Sequence, residues 1–157
     1  WIDSGAAERG RFIVCGDVAP WYLPALEPML SHPSVEVIGS VDDPGAWMRA
    51  ADVLVLPSVE EGSALVTYEG QASGCVPLVS DATGARPLVP AEHCVHRAGD
   101  VATLTHQLRS LDENPSLLRS LREQCLAGRD ELTWFRAGQD LTTTLAPLIV
   151  EQVRSQL

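Results

Sequence analysis

Residues 51–89, ADVLVLPSVEEGSALVTYEGQASGCVPLVSDATGARPLV, constrain the fold more than any other stretch of the chain. The run from Val53 to Leu56 is apolar without alternation, as a strand buried on both faces requires. Pro57-Ser58 ends it, and an acidic loop with Glu60, Glu61 and Gly62 follows. A helix is predicted from near Ser63 to Gly74, carrying Glu69 about two turns in. Residues 76–79 form a second apolar run before a polar turn through Asp81 and Gly84. Strand, loop, helix and strand make a βαβ unit, whose ligands bind where strands end and the helix begins.

The residue types in that loop point to a ligand with hydroxyls and an anionic group. Gly62 lets the backbone approach a ligand with no side chain in the way. The first amides of the helix, around Ser63, Ala64 and Leu65, lack intrahelical acceptors and favour an anion. Glu61 and Glu69 are acceptors only and suit paired hydroxyls. A phosphorylated sugar or a nucleotide sugar satisfies both demands. Against this stands the ordinary reading of two glutamates in an acidic chain, as charges on a solvated face.

The flanks repeat the alternation. Residues 12–15 read as a strand entering the Gly16-Asp17 turn, and residues 20–30 as a helix broken by Pro24 and Pro28. Residues 35–38 form the next strand, ending in Gly39, and Asp43-Pro44 opens a short helix with Trp47 and Met48. After Val89 the pattern turns helical: a last short strand at residues 94–96, then Asp100 as an N-cap before Leu104, Leu108 and Leu111. Asn114-Pro115 separates a helix with Leu117, Leu118, Leu121 and Cys125, and a final helix starts near Trp134, with Pro147 as a kink. Packing is the main reading of these leucines, a partner-binding stripe the minor one. The fold class is therefore α/β, a Rossmann-like, doubly wound parallel sheet flanked by helices. Residues 1–10, polar and rich in Gly and Ala, are assigned to a linker or the remnant of an upstream element, and residues 11–157 to one domain.

Charge narrows the partners. The net charge is −10 with no lysine, so the side-chain cations that hold their charge at any pH are all arginines. Such a chain is a poor partner for nucleic acid or an anionic membrane, and no apolar run reaches membrane-spanning length. Cys15, Cys75, Cys94 and Cys125 form no C-x-x-C pair. They read as small buried thiols of a reducing cytosol, with zinc binding at Cys94 between His93 and His96 the minor alternative. The chain begins with Trp1 rather than Met, which suggests a piece of a longer protein.

The order Pro-Ser, Glu-Gly, Leu-Val, Glu, Ser-Gly, Pro and Asp-x-x-Gly resembles the donor-binding C-terminal domain of the retaining GT-B-fold glycosyltransferases called group 1 or family 4. Their hallmark of Glu, seven residues, Glu is matched by Glu61 and Glu69. Phe12 to Asp17, Ile38-Gly39-Ser40-Val41, Ala51-Asp52-Val53, Gly99-Asp100 and Thr133-Trp134 extend the resemblance from about Arg11 to about Val150. It implies retaining glycosyl transfer from a nucleotide-diphosphate sugar, in the cytoplasm and with no metal or other cofactor. Glu61 would be the catalytic residue beside the donor sugar and Glu69 the ligand of the ribose hydroxyls. The amides of Gly62, Ser63, Ala64, Leu65 and Val66 would contact sugar and diphosphate, Val41 the nucleobase, and Gly16 the donor from its turn.

This sequence also departs from the pattern. The Arg and Lys that the family aims at the diphosphate, and the first strand of the domain, lie in a segment upstream of Phe12 that is absent here. Arg86 is the candidate stand-in cation, a solvated loop residue being its main reading. Ser63-Ala64 replaces a common Phe-Gly, and the Glu often found near Pro87 is missing. A first strand is central in a doubly wound sheet. Hence residues 1–10 replace it in part, another chain supplies it, or the sheet stays defective. The N-terminal acceptor domain would be a partner from the same polypeptide, any membrane contact would come through such missing parts, and the domain alone would not turn over. The alternative from another class is a noncatalytic GT-B-like domain serving in assembly. A sugar-nucleotide epimerase of similar fold ranks third, since such enzymes lack the Glu61–Glu69 pattern.

Overall fold

The computed structural model describes residues 1–85 and 87–154, the last seven of these by their backbone alone. The described residues form five strands and seven α-helices. The apolar runs predict the strands and six of the helices; the one-turn helix at Ala91–Cys94, where Cys94 was expected to open the last strand, is additional. The strands are β1 (Phe12–Cys15), β2 (Val35–Gly39), β3 (Val53–Leu56), β4 (Val76–Ser80) and β5 (Val95–His96). The helices are α1 (Leu23–Leu30), α2 (Pro44–Ala50), α3 (Leu65–Ala72), α4 (Ala91–Cys94), α5 (Val101–Glu113), α6 (Pro115–Ala127) and α7 (Trp134–Arg154). All strand pairings are parallel, so each connection is a crossover carrying a helix.

Local chemistry sets the helix starts. Asp43 caps α2 by accepting from the Ala46 N–H at 3.0 Å, and Pro44 occupies the first turn, where its missing N–H costs nothing. Asp100 caps α5, accepting from the Thr103 N–H at 2.9 Å and the Thr103 hydroxyl at 2.7 Å. Those two bonds, backbone before side chain, hold the Asp100 carboxyl below its ordinary pKa. Helix α3 begins at Leu65, two residues later than expected: Ala64 is its N-cap, at φ −72° and ψ 83°, with its carbonyl accepting from the Thr67 N–H at 2.9 Å. Gly70 brings α3 close to β3: a Cβ there would lie 2.7 Å from Leu54 Cδ2 and 3.3 Å from its Cβ. Gly74, at φ +90°, turns the chain from α3 into β4 in a conformation that side chains resist.

The core forms around β4, every residue of which is buried. Val76 and Leu78 pack with Val89, Cys94, Leu108, Leu111, Leu121 and Cys125, while Leu104, Leu117 and Leu118 cover the margin. These leucines of α5 and α6 therefore serve packing, as expected. Helix α7 is different: its described side chains are all exposed, Trp134, Phe135, Leu141 and Leu145 among them. Among the described residues no helix is long and apolar enough to cross a membrane.

The parallel ladder is interrupted. β1 pairs only with β2, and β3–β4–β5 form a separate sheet. Residues 1–10 do not bridge them as a strand; they fold into two short 3-10 turns packed against α5. Arg109 fastens these turns by donating to the Ser4 and Asp3 carbonyls at 3.1 and 2.8 Å, and Arg9 pairs with Asp112. The expected doubly wound alternation is present, with a gap where a central strand would stand.

The cysteines divide by burial. Cys75, Cys94 and Cys125 are buried free thiols, but Cys15 is exposed at the end of β1, contrary to the expectation for all four. Burial pushes the thiols of Cys75 and Cys125 up to about 11 and that of Cys94 to about 12. Since the thiolate is the nucleophile, Cys15 is expected to react alone with a maleimide at pH 7.5. The other three should follow only in denaturant, as counted by mass spectrometry; a second modified cysteine in the folded state contradicts the assigned burial.

Candidate active site at the strand ends

The carboxyl ends of β3, β4 and β5 carry three loops that lock onto one another. Glu61 is held through its backbone: its N–H donates to the Ala82 carbonyl at 3.2 Å, and its carbonyl accepts from the Gly84 N–H at 3.1 Å. These two bonds make a short parallel bridge between Glu61 and Thr83. Ser80, at the end of β4, adds a hydroxyl bond to the Ser58 carbonyl. Thr83 is fixed in turn by its hydroxyl on the Ser80 carbonyl at 3.0 Å. On the far side, Asp81 accepts from the Ala98 N–H at 2.9 Å and donates its own N–H to the His96 carbonyl at 2.8 Å. The loops are thus preorganised before any ligand arrives, which is what stabilising a developing charge demands.

Gly84 is essential to that lock. A Cβ on it would overlap the carbonyl oxygen of Gly62, so the two loops approach as closely as glycine allows. Gly62 itself faces the other way, with open space where its Cβ would be. Beyond Gly62, the N–H groups of Leu65 and Val66 begin α3 without intrahelical acceptors. Leu65 and Glu69, one turn apart, share the exposed face of α3, while Thr67, Gly70 and Gln71 share its buried face. Glu61 and Glu69 are both exposed and enter no ion pair among the described residues.

Other predicted positions lie around this centre. Gly16 follows β1 at φ +110°, its N–H on the Gly39 carbonyl at 2.7 Å, so the turns after β1 and β2 are tied together. Val41 is half-buried just beyond Gly39. These two belong to the β1–β2 sheet, whereas Glu61, Gly62, Ser63, Ala64, Leu65, Val66 and Glu69 belong to the other. Arg86 lies outside the described residues. At the minor zinc candidate, the Cys94 thiol donates to the Pro90 carbonyl at 3.3 Å, and His96 Nδ1 faces Gln107 Oε1 at 3.1 Å. No cluster of three metal-ligating side chains occurs among the described residues.

The polar supports were not anticipated. Gln71, fully buried, accepts from the Leu88 N–H at 2.6 Å and ties α3 to the segment after Gly84. Gln107 donates from Nε2 to the Val95 carbonyl at 3.0 Å, which turns its Oε1 to His96, so Nδ1 of His96 carries the proton. A glutamine on the apolar face of a helix is the sequence signal that could have found Gln71.

Parallel strands in α/β alternation, with a glutamate loop and a bare helix N-terminus at their carboxyl ends, define one Rossmann-like half of a GT-B glycosyltransferase. The chain belongs to the group 1 glycosyl transferases, whose family model matches residues 4–114, well over half of its length. It is similar to the D-inositol 3-phosphate glycosyltransferase of Streptomyces coelicolor, at 33% identity over 96 residues, 59% of this chain and 21% of that protein. The protein so named in Corynebacterium aurimucosum is 33% identical over 107 residues, 64% of this chain and 24% of that one. The chain thus spans between a fifth and a quarter of the length of these relatives. Its fold is similar to that of Anabaena HepE in complex with UDP, with a TM-score of 0.77 at 18% identity over 92% of this chain and 44% of that one. It is similar also to WaaG, a glycosyltransferase involved in lipopolysaccharide biosynthesis, with a TM-score of 0.68 at 21% identity over 82% of this chain and 38% of that one.

Proposed function

We propose that this domain binds the nucleotide-diphosphate sugar of a retaining glycosyl transfer, with the acceptor held by a separate N-terminal domain of a longer polypeptide. The observation that carries the reading is the Glu61 loop, clamped through Ala82 and Gly84 and leading through Gly62 into the open amides of α3. Glu61 is the catalytic carboxylate beside the donor sugar, and Glu69 takes the ribose hydroxyls. The amides of Gly62, Ser63, Ala64, Leu65 and Val66 receive sugar and diphosphate, with Gly16 and Val41 lining the donor from the β1–β2 side. Amides and arginines meet the charge of the leaving diphosphate, so the reaction needs no resident metal. The enzyme works in the cytoplasm, and the domain alone does not turn over, because half the cleft belongs to the acceptor domain.

Calorimetric titration with UDP, GDP and ADP tests this, for residues 1–157 and for a form extended upstream; UDP comes first because a structural neighbour was solved with it. One nucleotide should bind, and Glu69→Ala should weaken it roughly 10- to 100-fold, the worth of hydrogen bonds to a charged acceptor. Binding that Glu69→Ala leaves unchanged removes the ribose role. No binding by either form favours the noncatalytic alternative.

A further inference from the structure

Two hydrogen bonds close the chain around the glutamate loop into a ring. From Glu61 the backbone passes through Gly62, Ser63 and Ala64 into α3 and reaches Gln71, whose side chain returns to the loop after β4. There Gln71 Oε1 accepts from the Leu88 N–H at 2.6 Å, and four residues back the Gly84 N–H donates to the Glu61 carbonyl at 3.1 Å. Four residues reach about 14 Å at most, so a short tether joins the two bonds. Glu61 and Glu69 are both members of this ring, one in its loop and the other in its helix. Its side at Gly84 is the sensitive one. A Cβ there would overlap the Gly62 carbonyl oxygen, and a contact that close tolerates little displacement of either backbone.

Burial alone does not account for Gln71. It has no exposed surface, yet its Nε2 is buried without a hydrogen-bond partner among the described residues. Turning the amide over would set Nε2 against the Leu88 N–H, donor to donor, so its orientation is fixed. An unpaired buried donor costs stability that a methionine of similar length would not. Leu88 and Val89 are also held without it. A Cβ on Gly128 would lie 2.8 Å from Leu88 Cδ1, so Leu88 packs there, and Val89 belongs to the core. What the amide adds is the direction of one backbone N–H.

We propose that Gln71 is a positioning residue: it closes the ring, keeps Gly84 on the Glu61 carbonyl through Leu88, and so fixes Glu61 relative to Glu69. A ligand that engages both carboxylates then meets them at one set distance, with no ordering left to be done on binding. The effect on the loop stands on the geometry by itself, while the effect on ligand binding rests on the donor-binding proposal.

The experiment compares Gln71→Met and Gln71→Glu with the parent chain. Glutamate keeps an oxygen for the Leu88 N–H in either protonation state, and methionine has none. Hydrogen exchange is followed at Gly84 and Leu88 against Val76, whose N–H donates to the Asp52 carbonyl at 2.9 Å where β3 and β4 begin to pair. In Gln71→Met, Gly84 and Leu88 are expected to exchange about tenfold faster relative to Val76, and Gln71→Glu to restore them. UDP, GDP and ADP are titrated in parallel. The nucleotide that binds the parent should bind Gln71→Met about five- to tenfold more weakly, the worth of one hydrogen bond. Faster exchange at Leu88 with Gly84 unchanged overturns the proposal, because the ring then carries nothing to Glu61. So does equal acceleration at Val76, since Gln71 then only stabilises the fold, and so does an affinity that Gln71→Met leaves unchanged. If the parent binds no nucleotide, donor binding fails by itself and the exchange result still decides the ring.

Discussion

Gly84→Val is expected to lower nucleotide affinity by at least about 100-fold and to destabilise the domain by about 1–3 kcal/mol, the range for forced overpacking. A side chain at this position has nowhere to go. Its Cβ would overlap the Gly62 carbonyl oxygen, and that atom belongs to backbone rather than to a side chain that can swing aside. The Glu61–Gly84 and Glu61–Ala82 hydrogen bonds must then break, and with them goes the fixed position of Glu61. Gly62→Ala separates fold from function, because its Cβ enters open space. That variant should melt within a few degrees of the parent yet bind nucleotide more weakly, as the new methyl occupies the ligand's path. Paired melting curves and titrations check both. If Gly84→Val binds like the parent, the loop lock has no part in the site.

Leu78→Ala is expected to cost about 2–5 kcal/mol and to lower the melting temperature by roughly 5–15 °C. Leu78 has no exposed surface and stands in the middle of β4, so truncation leaves a cavity that its core neighbours would have to fill. Leu145→Ala on the exposed face of α7 is the matched control, and should shift stability by no more than about 0.5 kcal/mol in the isolated chain. Urea denaturation of the two variants beside the parent decides the matter. Equal losses would mean that α7 is covered and that the core does not centre on β4.

Much of this was legible in the chain before any coordinates. The runs at Val53–Leu56 and 76–79 read as strands because they are short, rich in valine and bounded by Gly and Pro, features that arbitrate against a helix. Asp43-Pro44 and Asp100 marked their helix starts because capping is local chemistry. The start of α3 was misplaced by two residues because the pairing of the preceding loop with residues 82–84, just before the helix, joins segments far apart in the chain. The exposure of Cys15 was likewise out of reach, since it depends on what covers the end of β1 rather than on the residue type.

By itself, then, the sequence determined the strands and the longer helices in their order, the glutamate pair and the family, all of which rest on short-range patterns. It did not determine the short helix at Ala91–Cys94 or the 3-10 turns of residues 1–10. Only the tertiary structure decided that Gly84 seats against Gly62, that Gln71 and Gln107 hold the surrounding loops, and that the parallel ladder is split between β1 and β3. Those contacts join residues far apart in the chain, and hydrogen-bond partners across strands and loops leave no periodic signal in the residues that make them.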